Sequence, residues 1–231
     1  MSILYMVGTP IGNLGDISYR AVEILKTVSL VACEDTRVTL KLLNHCGIHV
    51  PLLSCRSQNE KTAARKICET LQEGKAVAYC SDAGTPGLSD PGAVLVRTVT
   101  ESGFTVIPIP GPSACTALIS VAGNYGTAVL FEGFLSPKPG RRRARLRELL
   151  EYRCAFILCE SPFRILKLLA DIVACDPSRH LCIGREMTKI HEEYLRGEAH
   201  TLFKVLADRK ECRGEYTVFV AAPVRNTAAG I

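Results

Sequence analysis

The stretch Ser81–Gly92, which reads SDAGTPGLSDPG, constrains the fold of this chain more than any other segment. It directly follows the apolar run Ala76–Cys80, which has the length of a buried strand. Two Asp, three Gly and two Pro in twelve residues suit neither a helix nor a strand. A surface turn, the simpler alternative, needs only about four residues. We therefore interpret the stretch as a ligand-holding loop at the carboxyl end of a strand, as in open α/β sheets.

The residues before this loop and just after it repeat the order strand, loop, helix about five times. This rhythm predicts an α/β fold with a parallel sheet and helices on both faces. The predicted strands are Ile3–Val7, Val28–Cys33, Pro51–Cys55, Ala76–Cys80 and Thr105–Ile109. Four of them precede loops of unusual composition, residues 8–15, 34–37, 81–92 and 110–113. If the strands are parallel, all four loops lie along one edge of one sheet.

After residue 122 the character of the sequence changes, and a turn over 124–127 marks the expected boundary. We expect an N-terminal α/β domain over 1–122, which carries the cofactor and substrate loops. A C-terminal α/β domain over 123–231, with a mixed sheet, would complete the cleft. The last residues, 226–231, are expected to be frayed.

Composition narrows the functional classes without choosing one. Apolar residues make up 47% of the 231, which is enough for a sizeable core, and the net charge of +5 permits a nucleic-acid partner without requiring it. The eleven cysteines form no C-x-x-C pair and mostly lie in apolar runs, which indicates free thiols, a cytoplasmic protein and no metal site. The uncharged stretch 102–131 is long enough to cross a membrane, but prolines and glycines interrupt it, so no membrane span is expected.

Common catalytic and nucleotide-binding motifs are absent from the sequence. There is no G-x-G-x-x-G after a strand, no P-loop, no H-E-x-x-H and no G-x-S-x-G. Loops rich in Gly, Pro, Ser and Thr suit an adenosine-like cofactor, whose base and ribose take many directional hydrogen bonds. Asp82 and Asp90 would accept from ribose hydroxyls or face a positive group, or they would simply cap turns.

Seven motifs in this order carry a resemblance to a known family. They are VGTPIGNLGDIS, ACEDTR, SDAGTPGLSDPG, PIPGPSA, FEGFL, ESPFR and REMTK. Together they resemble the ribosomal RNA small-subunit methyltransferase I family, which belongs to the tetrapyrrole-methylase fold group, over nearly the whole chain. The resemblance implies two α/β domains with S-adenosylmethionine (SAM) in the cleft between them, and a homodimer. It also implies 2′-O-methylation of a cytidine ribose in the decoding region of 16S rRNA.

The family motifs assign site residues unevenly. For SAM, the resemblance implies Pro10, Asp82, Ala83, Gly84, Thr85, Ser113, Ala114, Glu160 and Ser161. The stretch 34–37 resembles one typical of the rRNA branch and is assigned to the RNA side. The chain departs from the family pattern at Phe163, where many members carry His, and at Cys55-Arg56, which replaces a more aromatic stretch.

The reaction that the resemblance implies needs a group to orient or deprotonate a weakly nucleophilic ribose hydroxyl. Among the acids at predicted strand ends, Glu34, Asp35 and Glu160, Asp35 is our first choice for this role. Arg37 and Lys189 would hold the flanking phosphates. The alternative for Asp35 is a structural ion pair with Arg37.

A dense run of arginines opens a predicted helix in the second half. Arg141, Arg142, Arg143 and Arg145 are predicted to bind rRNA phosphates through charge and bidentate hydrogen bonds. A solvated helix face is the alternative. Two other functions stay open at this point: a SAM-dependent methyltransferase of a small tetrapyrrole or corrin, and a non-catalytic RNA-binding protein associated with the ribosome.

Overall fold

The computed structural model describes residues 2–88, 90–123 and 128–223, which form two compact units, Met1–Ser113 and Ala114–Ile231. The strands of the first unit are β1 Ile3–Val7, β2 Leu30–Cys33, β3 Leu52–Ser54, β4 Val77–Cys80 and β5 Thr105–Ile109. Its helices are α1 Tyr19–Thr27, α2 Thr36–His45, α3 Glu60–Gln72 and α4 Ala93–Glu101, with a 3₁₀ turn at Leu14–Asp16 that the sequence pattern did not predict.

The first sheet has the strand order β3-β2-β4-β1-β5, and every neighbouring pair is parallel. All four residues of β4 are buried. Val77 and Tyr79 pack with α3 and α4, whereas Ala78 and Cys80 pack with α1 and α2 on the other face. The predicted parallel sheet with helices on both faces is therefore confirmed. Since β1, β2, β4 and β5 run in one direction, the four predicted loops start from the same edge.

Two predicted boundaries in this unit move for identifiable reasons. The second strand begins at Leu30 rather than Val28, because the Val28 amide still donates to Ile24 O and closes α1. Helix α2 begins at Thr36 rather than Val38, because the Asp35 side chain accepts from the Arg37 amide and caps the helix. Half of the predicted loop 34–37 is thus the first turn of a helix.

The second unit contains a mixed sheet, as predicted. Its strands are β6 Val129–Phe134, β7 Ala155–Glu160, β8 His180–Arg185, β9 Glu193–Glu198 and β10 Tyr216–Val220, in the order β6-β7-β10-β8-β9. Among the described strands of this sheet, β6 and β7 pair in parallel and the other neighbours are antiparallel. Its helices are α5 Ala114–Ala122, α6 Pro139–Glu151, α7 Ile165–Cys175 and α8 Ala199–Ala207.

The core of the second unit lies between its sheet and α6, α7 and α8, and includes Phe156, Leu158, Leu169 and Val218. Helix α5 packs against β8 and β10 and lies in this unit, whereas the expected border after residue 122 falls at the other end of that helix. The expected turn over 124–127 and the expected frayed end at 226–231 lie outside the described residues. Among the described helices, none combines the length and apolar character needed to cross a membrane.

Candidate functional site

Three loops at the carboxyl edge of the first sheet are joined through their backbones. Thr9 N donates to Gly84 O at 2.9 Å, and Gly84 N donates back to Thr9 O at 3.0 Å. The Thr9 hydroxyl donates to Ser81 O at 3.2 Å, and Gly8 N donates to Ile109 O at 3.0 Å. We call residues 8–15, 81–92 and 110–113 the backbone-linked loops. These bonds join the first two loops to each other and to the end of β5, from which the third loop starts.

Glycine is required where two of these loops touch. A Cβ on Gly111 would lie 2.5 Å from Gly8 O, and a Cβ on Gly8 would lie 2.8 Å from Gly111 Cα. Gly84 has a φ of +79°, which residues with a side chain rarely adopt. The glycines that the sequence places here therefore allow close backbone packing and a left-handed turn.

The cofactor residues that the resemblance assigns to the first unit lie on or beside these loops. Pro10, Gly84 and Ser113 are buried, while Asp82, Ala83 and Thr85 are exposed along the edge. Backbone amides and carbonyls, hydroxyls and one carboxylate are the groups that bind the base, ribose and amino-acid parts of an adenosine-type cofactor. The residues present therefore fit SAM. Ala114 is the first residue of α5 and belongs to the second unit.

Glu60, which sequence reasoning missed, fixes the far end of the loop 81–92. Its Oε1 accepts from Gly92 N at 2.9 Å and from Leu95 N at 3.0 Å, although its own residue lies on α3. Helix α4 begins after a glycine, which has no side chain to cap the first amides. The buried Glu60 carboxylate supplies that cap from another helix. The missing cap at Gly92 was the signal that a remote acceptor was needed.

A second group of side chains forms a charged pocket beside the backbone-linked loops. The pocket has a volume of about 240 Å³ and is lined by Glu34, Asp35, Arg56, Ser57, Gln58 and Asp82. Asp82 connects it to the loop 81–92, since its Oδ1 accepts from Asp35 N at 2.9 Å. Arg56 Nε donates to Glu34 O at 2.8 Å and holds the opposite wall.

Asp35, the first choice for a proton acceptor, is bound to Arg37. Its Oδ1 accepts from Arg37 N at 2.9 Å and Nε at 3.0 Å, and its Oδ2 accepts from Nη2 at 2.5 Å. These hydrogen bonds hold the pKa of the Asp35 carboxyl well below its usual range. The ion pair that the sequence left open as an alternative is therefore present, and it makes Asp35 a weak base.

Glu34 has the opposite electrostatic environment. Burial raises the pKa of its carboxyl, and the nearby charges of Asp90 and Asp82 raise it further. From the described residues its Oε1 receives a single, long hydrogen bond, from Asp82 N at 3.4 Å. Burial and the charge of Asp82 also raise the pKa of Asp90. Of the two neighbouring acids at the end of β2, Glu34 is the one with the higher proton affinity.

The remaining assigned residues lie in the second unit. Glu160 is buried, and its Oε1 accepts from Ser161 N and from Arg164 Nη2, both at 2.7 Å. Its Oε2 is buried without a hydrogen-bond partner among the described residues. Lys189 pairs with Glu186 at 2.9 Å and Glu215 at 3.0 Å. Burial alone would lower the pKa of Lys189, but the two carboxylates raise it above its usual value.

The arginine run on α6 is divided between internal ion pairs and solvent. Arg142 Nε lies 2.7 Å from Asp171 Oδ2, with both side chains almost fully buried. Arg145 forms a bidentate pair with Glu132, at 2.8 and 2.7 Å, and a second pair with Glu148. Arg143 also pairs with Asp171, so three of the four arginines predicted to bind RNA have carboxylate partners within the unit.

Arg141 and Arg143 are exposed, and so is Arg147, which the predicted set did not include. Arg143 also contacts Asp171, through Nε at 2.8 Å, but 58% of its side chain is accessible. Arg143 and Arg147 line a groove of about 540 Å³ along α6 and α7. The cationic surface that RNA can reach is thus smaller than the run of arginines in the sequence indicates.

Comparison with known proteins matches most of the chain to one group of enzymes. The family of tetrapyrrole (corrin/porphyrin) methylases matches residues 3–202. A ribosomal RNA small subunit methyltransferase I from Borrelia garinii is 46% identical over 95% of this chain and 98% of its own length. A protein of the same name from Thermotoga maritima is 43% identical over 96% of this chain and 99% of its own.

Solved structures with a similar fold are more distant in sequence. A cobalt precorrin-4 methyltransferase has a TM-score of 0.68 at 14% identity and covers 95% of each chain. The uroporphyrin-III C-methyltransferase of Thermus thermophilus has a TM-score of 0.66 at 14% identity, over 96% of this chain and 94% of that one. At this identity the likeness establishes the tetrapyrrole-methylase fold alone.

Proposed function

The chain belongs to the ribosomal RNA small subunit methyltransferase I family of tetrapyrrole methylases, and on that premise we propose that it methylates the ribose 2′-hydroxyl of a cytidine in the decoding region of 16S rRNA. The observation that carries the proposal is the 46% identity that extends over 95% of this chain and 98% of a relative named for small-subunit rRNA methylation. Methylation of small-subunit rRNA follows from the family. The nucleotide and the 2′-oxygen are the proposed part.

Methyltransferases of this family and fold use SAM. When bound, SAM supplies a methyl group on a sulfonium, which is transferred by in-line displacement. The residues of the backbone-linked loops that would hold the cofactor are Pro10, Asp82, Ala83, Gly84, Thr85 and Ser113. In the second unit, Ala114, Glu160 and Ser161 are the residues assigned to it by the resemblance.

Positioning supplies most of the rate enhancement in such a displacement, because the reacting atoms must be aligned and close. In our proposal Glu34 accepts a hydrogen bond from the 2′-hydroxyl and takes its proton as the new bond forms. Its raised pKa suits this role better than the depressed pKa of Asp35. Asp35 instead caps α2 and orients Arg37, whose exposed guanidinium would face a flanking phosphate, as Lys189 would.

The test is incubation of the purified protein with methyl-labelled SAM and small ribosomal subunits that lack the modification. Nuclease digestion and mass spectrometry then locate the label. We expect one labelled cytidine, methylated on the ribose, in the decoding region. Label on a base, on another nucleotide or in another region of the 16S rRNA would refute the proposed specificity.

Two controls separate the alternatives. Labelling of a tetrapyrrole substrate but not of the subunits would support a small-molecule methyltransferase. Binding to subunits with no transfer of label would support a non-catalytic RNA-binding protein. A homodimer and a cytoplasmic location, where ribosomal subunits are assembled, complete the proposal. Sedimentation of the protein at micromolar concentration checks the dimer.

A further inference from the structure

We infer that the charged pocket receives the base of the methylated nucleotide and that Arg56 and Gln58 distinguish that base from others. The inference rests on the proposed function, since it assigns a specificity site to the same reaction. Neither residue belongs to the set that the sequence assigned to catalysis, cofactor or RNA.

The strand order places this pocket next to the reacting group. The backbone-linked loops follow β4, β1 and β5, whereas the pocket is built on the ends of β3, β2 and β4. Asp82 lies at the border, Glu34 follows on the next strand, and Arg56 follows on the strand after that. Neighbouring strands are about 4.8 Å apart, so Arg56 lies roughly 10 Å from the border along the edge. One nucleoside, with its ribose at Glu34, would place its base beside Arg56.

The pocket carries both hydrogen-bond donors and acceptors. The carboxylates of Glu34 and Asp82 accept, and the Arg56 guanidinium and the Gln58 amide donate. Arg56 Nε is used by Glu34 O, and its Nη atoms have no hydrogen-bond partner in the described part of the chain. Arg56 N also donates to Asn59 Oδ1 at 2.7 Å, which anchors the loop. The guanidinium is thus held by one edge and offers the other to a ligand.

Charge and size favour a base over other parts of an RNA. Three carboxylates, from Glu34, Asp35 and Asp82, line the pocket and repel a phosphate. The volume of about 240 Å³ exceeds that of several waters and lies below the roughly 300–1,000 Å³ typical of larger ligands. A single planar base, with an amino or ring N–H donor and a carbonyl acceptor, fits both the charge and the volume of the pocket. Enzymes that modify a base take it out of the stack into such a pocket, and our inference extends this arrangement to an enzyme that modifies the ribose of the same nucleotide.

The experiment compares two substrates that differ at the methylated nucleotide alone. Small subunits are reconstituted with 16S rRNA that carries either cytidine or uridine at the position found by mapping, and kcat/KM is measured on both. We expect Arg56→Gln to reduce the preference for the natural base by about 10-fold or more. Arg56→Lys should behave similarly, because it keeps the charge but loses the planar set of donors. Gln58→Ala should show a smaller loss of preference.

Arg65→Gln is the matched control, since Arg65 is an exposed arginine of the same unit, on α3. It should leave the preference and the rate unchanged. The Kd for SAM, measured by calorimetry, should be unchanged in every variant and so verifies that each is folded.

An unchanged preference in both Arg56 variants would overturn the inference while leaving the proposed function intact. An equal loss of rate on both substrates, with a weaker salt dependence of binding, would also overturn it, because Arg56 would then contact a phosphate. If the wild-type protein methylates no nucleotide of the subunit, the proposed function fails, and this inference fails with it.

Discussion

The acidic loop at the end of β2 and the arginine run on α6 are both dense in charge, but the fold uses their charges differently. In the loop, Asp35 is bound to Arg37, and Glu34 is left with a raised proton affinity. In the helix, Arg142 is buried against Asp171, and Arg141 is left exposed. Each segment therefore contains one charge that holds the structure and a neighbour that is available to a ligand.

The position of each residue relative to the core decides whether its charge is paired within the structure or available to a ligand. Arg142 lies on the face of α6 that also carries Leu146 and Leu149, and a charge buried there needs a partner. Asp35 lies at the N-cap of α2, where a carboxylate binds the first free amides. Glu34 precedes the cap, and its side chain is half-buried at the edge of the charged pocket. The comparison predicts that variants of neighbouring residues will have unlike effects.

The largest effect is expected from Asp171→Ala. This change leaves the Arg142 guanidinium buried and unpaired, so the free energy of unfolding should fall by about 3–5 kcal/mol. Urea-induced unfolding measures this change in free energy. Glu148→Ala, which removes an exposed partner of Arg145, is the matched control and should cost about 0.5 kcal/mol or less. Similar losses in the two variants would mean that burial does not separate the ion pairs of this helix.

The next effect concerns the two acids of the loop. Glu34→Gln should lower kcat by roughly 10²-fold, because it removes the proposed proton acceptor. Asp35→Asn should have a smaller effect, since asparagine also caps helices well. Both variants should bind SAM with normal affinity in calorimetry. A larger loss in Asp35→Asn than in Glu34→Gln would return the catalytic role to Asp35, as the sequence first predicted.

A moderate effect is expected from the exposed arginines of α6. Replacement of both Arg143 and Arg147 by Gln should raise the KM for ribosomal subunits. It should also reduce the slope of log affinity against log salt by about 1.5, as expected for two lost phosphate contacts. Arg145→Gln is the comparison, because its guanidinium is already paired with Glu132. An equal change in slope per replaced arginine would show that the internal pairs do not withdraw arginines from RNA.

The smallest effect is a shift of the pH profile. The charge of Asp90 contributes to the raised pKa of Glu34, so Asp90→Asn should lower that pKa. Glu34 then stays ionised to lower pH, and the acid limb of kcat against pH should move down by less than about one unit. Asp208→Asn, an exposed acid at the end of α8, should leave the limb in place. A limb that moves upward or stays fixed in Asp90→Asn would mean that it does not report Glu34.

The sequence predicted the fold and the shared edge well because those depend on local patterns. Alternating apolar strands and helices, with glycines after the strands, are visible within short windows. The ion partners were not visible, since Asp171 lies 28 and 29 residues from the arginines it binds. Glu60 was missed for the same reason: it reads as one more charge on a helix. Sequence order shows which groups are present, and only the packing of distant helices shows which of them are neutralised.

The strand order β3-β2-β4-β1-β5 also has a consequence for how new specificities arise in such a chain. Gly84 is hydrogen-bonded to Thr9 of the loop after β1, and Gly111 of the loop after β5 packs closely against Gly8. The segments after β2 and β3 contact these loops through Asp82. Substitutions at the exposed Arg56, Ser57 and Gln58 should alter the substrate side and leave the cofactor side undisturbed, whereas Cys55 is buried in the core. One sheet edge thus combines cofactor loops that depend on close glycine packing with a substrate pocket lined by exposed side chains. The substrate range can therefore change while the methyl donor stays the same.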